Sequence, residues 1–469
     1  MKKVTKIFCT LAVLSLLLSF APPAVRAEGA DSPAAAEKDT GIALTVSGQS
    51  FSERAFHAVT DSDYYSICRM RKGSRMSFHA ASPVRTLYFI FDRPCRWSLT
   101  LDDGTVIEGG ENGFLHDAVA LPREITDFSL DAETHVNLCD VYAFAEGSLP
   151  DWVQVWQPPC ERADLLVMPT HSDDELLWFG GLLPYYAGEL GYKVQVVYLT
   201  NHNLTTFRHH EMLNALWTVG VRNYPVQGEK FTDTKSSMGG LKQAASVFGY
   251  DNVLAYQVET LRRFSPKVIV AHDINGEYGH GAHKLNAATL LEALNLYRDP
   301  AIYPESAEKY GIHRIQKCYL HLWKENTVFV DWNNIVLSRF GGRTAMEMAK
   351  TGYLCHESQQ KAYQVAESGK YDCRQFGLAY TTVGDDTPGR NDMFENVDMS
   401  DSDETADSSE VGSGASGMDD SHAGEKSGEK TAKKVPVYVL PLFALSGLAI
   451  LTVIGKSLLT GKGKSRRES

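Results

Sequence analysis

The sequence predicts two folded parts of different class within 469 residues: a smaller all-β, sandwich- or jelly-roll-like domain, then an α/β domain with a mostly parallel sheet. Three observations carry this expectation. Short alternating apolar segments separated by turn residues fill the region from about Ile42 to Leu149, the pattern of half-buried strands. From Asp164 onward, continuous apolar strands alternate with helical segments, as in a parallel sheet covered on both faces. The length exceeds one ordinary domain.

Element by element, the chain opens with Lys2, Lys3 and Lys6 before an apolar run from Ile7 to Phe20, and Val25-Arg26-Ala27 follows at cleavage spacing. Residues 1–27 read as a secretory signal peptide. An uncleaved anchor is disfavoured because the apolar run is short for a membrane span. Residues 28–40, rich in Ala, Asp and Glu, read as a disordered lead-in. In the β domain, 41–150, the segments Leu87–Phe91, Trp97–Leu101 and Val136–Phe144 read as strands, with turns at Asp102-Asp103-Gly104 and Gly109-Gly110. This pattern resembles discoidin-like or carbohydrate-binding jelly rolls, and a packing or spacer role stands beside ligand binding. Residues 151–160 read as a linker ending in Pro158-Pro159.

The α/β domain, 161–396, begins with a buried strand at Asp164–Thr170, followed by a helical pattern from Asp173 to Leu190. A strand at Lys193–Thr200, a helix at Phe207–Val219, a strand at Lys267–Ala271 and a helix at His283–Tyr297 come next. The order is Rossmann-like, and in such sheets ligands sit at the carboxyl ends of strands. Residues 397–434, mostly Asp, Glu, Ser and Gly, cannot bury a core and read as a flexible tether. Residues 435–455 form an uncharged apolar stretch of spanning length. Lys456, Lys462, Lys464, Arg466 and Arg467 then mark 456–469 as a cytoplasmic tail. The predicted location is therefore the cell membrane, single-pass, with the folded parts extracytoplasmic.

Composition narrows the function. The chain is 43% hydrophobic and 22% charged, with a net charge of -12. It has no basic patch with interleaved aromatics, so nucleic acid is not an expected partner. Of eight cysteines, Cys9 lies in the leader. The other seven, Cys68, Cys95, Cys139, Cys160, Cys318, Cys355 and Cys373, are an odd number and cannot all pair within one chain. No CxxC or Cys/His cluster offers a cysteine metal site. Export permits disulfides without saying which form.

The chemistry concentrates in two segments, each where a buried strand passes into a helix. The first is His171-Ser172-Asp173-Asp174-Glu175. Imidazole and carboxylate suit zinc. Neighbouring helical residues point about 100° apart, so Asp173 and Asp174 cannot do the same job. One can bind a metal while the other acts as a base on a water, the division that metal-assisted hydrolysis uses. By itself this segment reads equally well as a helix cap, because Ser172 and Glu175 match a capping box and acids are favoured in a first turn.

The second segment, Asn275-Gly276-Glu277-Tyr278-Gly279-His280-Gly281-Ala282-His283, shifts the balance. His280 and His283 are three apart and can share a helical face. A ligand from this second strand end would complete a three-ligand site with an open position, as catalytic zinc requires. His272-Asp273, just upstream, read as pocket lining. Glu175 reads as a cap or as support for a ligand, and His202, His209 and His210 as ordinary polar residues near strand ends.

With both segments in view, residues 161 to about 396 resemble the PIG-L/LmbE-like family of zinc-dependent N-deacetylases, whose hallmarks are His-Pro-Asp-Asp-Glu and Gly-x-Tyr-x-His-x-x-His. The resemblance implies that His171, Asp174 and His283 ligate Zn2+ or another divalent metal. It implies that Asp173 is the general base, that His280 stabilises the oxyanion and helps protonate the leaving amine, and that Tyr278 assists. Arg208-His209-His210-Glu211 resembles the family's Arg-x-x-Glu and implies that Arg208 contacts a sugar; an exposed Arg208–Glu211 ion pair is the plain alternative. Ser172 stands where the family has Pro, a change a capping serine would tolerate, and Thr170 where Ala is common. The expected activity is removal of acetyl from an N-acetylated sugar of the N-acetylglucosamine type, carried by a small molecule or a surface glycan. The alternatives are an inactive glycan-binding or adhesion protein, and a metal-dependent amidase or esterase on another acyl group.

Overall fold

The computed structural model describes residues 41–147 and 149–400. The predicted leader (1–27), lead-in (28–40), membrane span (435–455) and basic tail (456–469) lie outside these residues, as does the tether beyond residue 400. Among the described residues, no helix is long and apolar enough to cross a membrane.

Seven antiparallel strands build the first part: β1 (Leu44–Ser47), β2 (Cys68–Met70), β3 (Arg75–Phe91), β4 (Trp97–Leu101), β5 (Val106–Gly109), β6 (His116–Ala132) and β7 (Val136–Phe144), with a short helix α1 (Glu53–His57). Their order is β2-β7-β3-β6-β4-β5, and β1 joins β3. The β3–β6 register is interrupted between His79 and Thr86. Each long strand therefore serves two leaves. The first half of β3 pairs with β1 and the second half with β7. Side chains from both leaves, including Phe78, Leu87, Phe89, Trp97, Leu130 and Leu138, share one core, and the Phe78 and Phe128 rings stack at 4.9 Å. On the other face of β3 and β7, Tyr88, Ile90, Tyr142 and Phe144 are also buried, covered by Trp152 and Val153.

That doubly covered face meets the second part. Trp156 packs into the α/β core, Val153 and Gln154 are buried, and Gln157 bridges to Asn223, so the stretch expected as a linker is a packed tie. His116 accepts or donates on both ring nitrogens, at 2.7 Å to the Tyr88 hydroxyl and 2.9 Å to Nδ1 of His210.

The second sheet contains β8 (Leu165–Met168), β9 (Val194–Tyr198), β10 (Val226–Gln227), β11 (Val268–Ala271), β12 (Lys317–His321) and β13 (Thr327–Phe329). A two-stranded ribbon, β14 (Val336–Leu337) and β15 (Arg343–Thr344), stands apart, and β16 (Gln375–Thr381) rejoins the main sheet. The order is β10-β9-β8-β11-β12-β16-β13, parallel from β10 to β12 and antiparallel beyond. The central strands β8 and β11 are apolar throughout because both faces are covered. Leu165, Val167, Val268 and Val270 enter one core, while Leu166, Met168, Ile269 and Ala271 enter the other. The helices are α2 (Asp174–Leu177), α3 (Phe207–Thr218), α4 (Leu241–Phe248), α5 (Tyr250–Phe264), α6 (Gly281–Leu296), α7 (Pro304–Tyr310) and α8 (Ala345–Tyr353). From β8 the chain runs to β9 on one side, and β11 lies on the other. The sheet thus has its topological switch at the carboxyl ends of β8 and β11, where α/β folds open a crevice.

The helix expected from Asp173 to Leu190 is instead one turn, α2, and a separate π-helical turn at Pro184–Glu189. Gly180, with φ of 55°, and Gly181 interrupt it. A Cβ on Gly181 would stand 2.6 Å from Cβ of Ala345 and 2.9 Å from the Trp332 ring, and Trp332 is fully buried. The break lets α8 and Trp332 pack directly against the segment that follows the first motif. Gly181→Val should therefore lower folding stability by about 1–3 kcal/mol through overpacking, read as a lower denaturant midpoint. An unchanged midpoint would show that this close approach is not required.

Candidate metal centre

His171 follows β8, Asp174 opens α2, and His283 is the third residue of α6, which follows β11. The strand order alone brings them to one crevice. Nδ1 of His171, Oδ2 of Asp174 and Nε2 of His283 form a triangle with edges of 3.2, 3.2 and 3.2 Å. A tetrahedral zinc site with N and O ligands near 2.0–2.1 Å has ligand–ligand edges of about 3.3 Å, so the three residues fit such an ion and leave its fourth position open. All three side chains are buried.

Each ligand is held from behind. Asp174 accepts the His171 backbone N–H at 2.8 Å through Oδ2 and Nε1–H of Trp178 at 2.8 Å through Oδ1. Burial alone would raise its carboxyl, but the imidazoles of His283, His272 and His171 hold it well below the usual carboxylate range. Nε2 of His171 lies 3.5 Å from Asp233. The main brace is Glu277, fully buried. Its carboxylate accepts from Nδ1 of His283 at 2.7 Å, of His272 at 2.8 Å and of His321 at 2.7 Å, and from the Asp273 backbone N–H at 3.1 Å. Placing the His283 proton on Nδ1 leaves the Nε2 lone pair for the triangle, the usual division between a ligand and its outer partner. Burial would raise the Glu277 carboxyl, but the imidazoles of His272, His283 and His321 keep it well below the usual range.

Two other groupings of possible ligands are weaker. Nε2 of His272 lies 3.4 Å from Asp174, but it accepts the Thr170 backbone N–H at 2.9 Å while Nδ1 serves Glu277. His272 is thus a buried brace rather than pocket lining. His280, with His171 and His283, forms a further group of possible ligands. His280 is the residue before α6, where its Nδ1 accepts the Ala282 N–H at 3.2 Å. Its ring stacks on His283 at 4.6 Å and stands 4.8 Å from that of His171. Burial, with His171 and His283 nearby, pushes it down to about 3. It is a neutral ring with its remaining nitrogen free to donate.

Asp173 departs from a helical first turn. Its φ is 124° and ψ is -30°, and its backbone N–H donates to Oε2 of Glu175 at 2.8 Å. The Ser172 hydroxyl has no partner, so the expected capping box does not form. Burial pushes the Asp173 carboxyl up to about 7, against the pull of Arg208 and with Asp174 adding to the push. Arg208, in the first turn of α3, donates to the Ser172 carbonyl and lies 3.5 Å from Asp173. The alternative Arg208–Glu211 surface pair is absent, since Glu211 is buried and accepts from Ser358 N–H and Oγ–H at 2.7 Å each. Tyr278, with φ of 44°, sits on the wall at 5.5 Å from the His280 ring and stacks on Tyr363 at 5.3 Å. His202 accepts the Ser172 N–H at 3.2 Å, whereas His210 turns toward the β part.

His171, Asp173, Asp174, Arg208, Tyr278 and His280 all line one cleft of about 170 Å³, with His283 beneath. Asp233, Lys235 and Tyr363 line it too, and none of these three stands in the motifs. Among the described residues all seven cysteines are free thiols.

Glu277→Gln keeps the side-chain volume but turns one acceptor into a donor facing imidazole N–H groups. Zinc affinity, measured by competition with a chelator, should fall about 10–100-fold. Affinity equal to wild type would remove Glu277 from the centre.

Residues 165–294 match a family model described as PIG-L, GlcNAc-PI de-N-acetylase. A 1D-myo-inositol 2-acetamido-2-deoxy-alpha-D-glucopyranoside deacetylase 1 of Catenulispora acidiphila is 26% identical over 181 residues, 34% of this chain and 56% of that protein. A deacetylase described in the same words from Acidothermus cellulolyticus is 25% identical over 284 residues, 50% of this chain and 95% of that protein. The chain spans little more than half the length of the first of these relatives. Among solved structures, N,N'-diacetylchitobiose deacetylase from Pyrococcus horikoshii aligns at 18% identity with a TM-score of 0.33, over 44% of this chain and 74% of that one. The whole triangle lies within residues 165–294, the stretch that matches the PIG-L family model.

Proposed function

We propose that the protein is a zinc-dependent hydrolase that removes acetyl from an N-acetylated sugar, with its folded parts outside the cell, a membrane span at residues 435–455 and a short cytoplasmic tail. The observation that carries the chemistry is the triangle of His171, Asp174 and His283, open on the side where Asp173 and His280 line the same cleft. A zinc ion held there would lower the pKa of a water and polarise an acyl carbonyl. The chain's own groups do the rest. Asp173, its carboxylate backed by Arg208, takes the proton of the attacking water. His280, with Nδ1 occupied by the Ala282 N–H, donates a hydrogen bond from its other nitrogen to the developing oxyanion, and the proton taken up by Asp173 passes to the leaving amine. Tyr278 adds a hydroxyl at the cleft wall, and Arg208 offers a guanidinium to sugar hydroxyls. The family match and the acetamido-sugar deacetylases among the relatives support the substrate class. The location rests on the leader-like residues 1–27 and the apolar stretch 435–455.

Zinc-loaded protein should release acetate from a panel of N-acetylglucosamine-containing compounds. Absence of release from every member would sink the activity. Asp173→Asn should retain bound zinc and lose at least about 100-fold in turnover, and turnover near the wild-type level would remove the base assignment. The full chain should stay in the membrane pellet after alkaline carbonate washing, and deletion of residues 435–469 should release it. A full chain washed out by carbonate would argue against the anchor.

A further inference from the structure

Asp173 holds a backbone conformation, φ 124° and ψ -30°, that non-glycine residues adopt only when their surroundings impose it. Its N–H donates to Oε2 of Glu175 at 2.8 Å. Glu175 is itself fully buried, and its other oxygen, Oε1, accepts from Nε2 of His356 at 2.9 Å. His356 is also fully buried. It lies about 180 residues downstream of the motif it serves, beyond the matched stretch 165–294.

We propose that His356 is a positioning residue for the base: through Glu175 it fixes the Asp173 backbone so that the Asp173 carboxylate lines the cleft. With one oxygen tied to His356, the Glu175 carboxylate has a fixed plane and must present the other oxygen to the Asp173 N–H. The donor is a single neutral N–H. Nδ1 of His356 has no partner, and a second proton there would be a buried donor without an acceptor. The segment that carries His356 is anchored independently, by Ser358 on Glu211 of α3 and by the His356 backbone N–H on the Tyr353 carbonyl at 3.0 Å. Removing the imidazole therefore removes the donor without releasing the segment. The same anchorage places Gln359 and Tyr363 at the cleft rim, so one stretch supports the base from below and shapes the opening above it.

The kinetic arm of the test rests on the deacetylase reading. His356→Leu removes the donor, and His356→Gln restores an N–H within reach of Glu175. The expected result is a fall in kcat of about 100-fold for His356→Leu, with KM and bound zinc per chain unchanged, and recovery to within a few-fold of wild type for His356→Gln. Wild-type kcat in a folded His356→Leu protein overturns the proposal. So does a folded His356→Gln protein as impaired as His356→Leu, and this second variant decides alone where the leucine variant does not fold. An arm independent of activity reads hydrogen exchange at the Asp173 amide: protected in wild type and His356→Gln, faster in His356→Leu. Equal exchange in all three overturns the proposal even if the wild-type protein releases no acetate, whereas missing acetate release by itself overturns only the activity.

Discussion

A buried negative charge under three imidazoles organises the centre. Glu277 sits out of contact with water, where an unpaired carboxylate would cost several kcal/mol. Four N–H donors compensate it: His272, His283, His321 and the Asp273 backbone. The contact sets the tautomers of His283 and His272, and each of the three imidazoles has a separate use at its other nitrogen. His283 turns a lone pair to the metal triangle. His272 accepts the Thr170 N–H and so ties β8 to β11. His321 uses its other nitrogen at the Asp372 carbonyl and ties in β12. The carboxylate therefore links three strand ends as well as orienting one ligand.

A second carboxylate, Glu175, repeats the pattern on a smaller scale for the base. The two acids of the first motif are thus held by different means. Asp174 is oriented by Trp178 and the His171 backbone, and Asp173 by a bond to its own amide. This separates their electrostatics. Asp174 faces imidazoles that hold its carboxyl down, while Asp173 is lifted by burial against the pull of Arg208.

The sequence was informative where signals were local. His171 to Glu175 and Tyr278 to His283 are short runs at strand ends, and their proximity follows from the parallel order of β8 and β11. What could not be seen was non-local. His321 leaves β12 and His356 follows α8 with no motif around either, and their partners Glu277 and Glu175 lie 44 and 181 residues away. The helix expected over 173–190 shows a different limit. Its apolar spacing was helical, but the close approach of Trp332 and Ala345 is invisible to periodicity. The punctuation of Gly180-Gly181 and Pro184 was the available warning. The capping reading of Ser172 and Glu175 failed because Glu175 spends its oxygens on the Asp173 amide and on His356.

The bond between His116 and His210 bears on how this architecture can be divided. His210 is two residues beyond Arg208 on α3, and its ring meets His116 of the β part and lies 4.8 Å from the Tyr64 ring. A chain cut after the packed tie at 151–160 would strip that helix of its polar partner His116. The β part is then less an appended module than a wall packed against the α/β part. Without it, His210 would lose both the His116 nitrogen and the Tyr64 ring, two residues along the helix from Arg208.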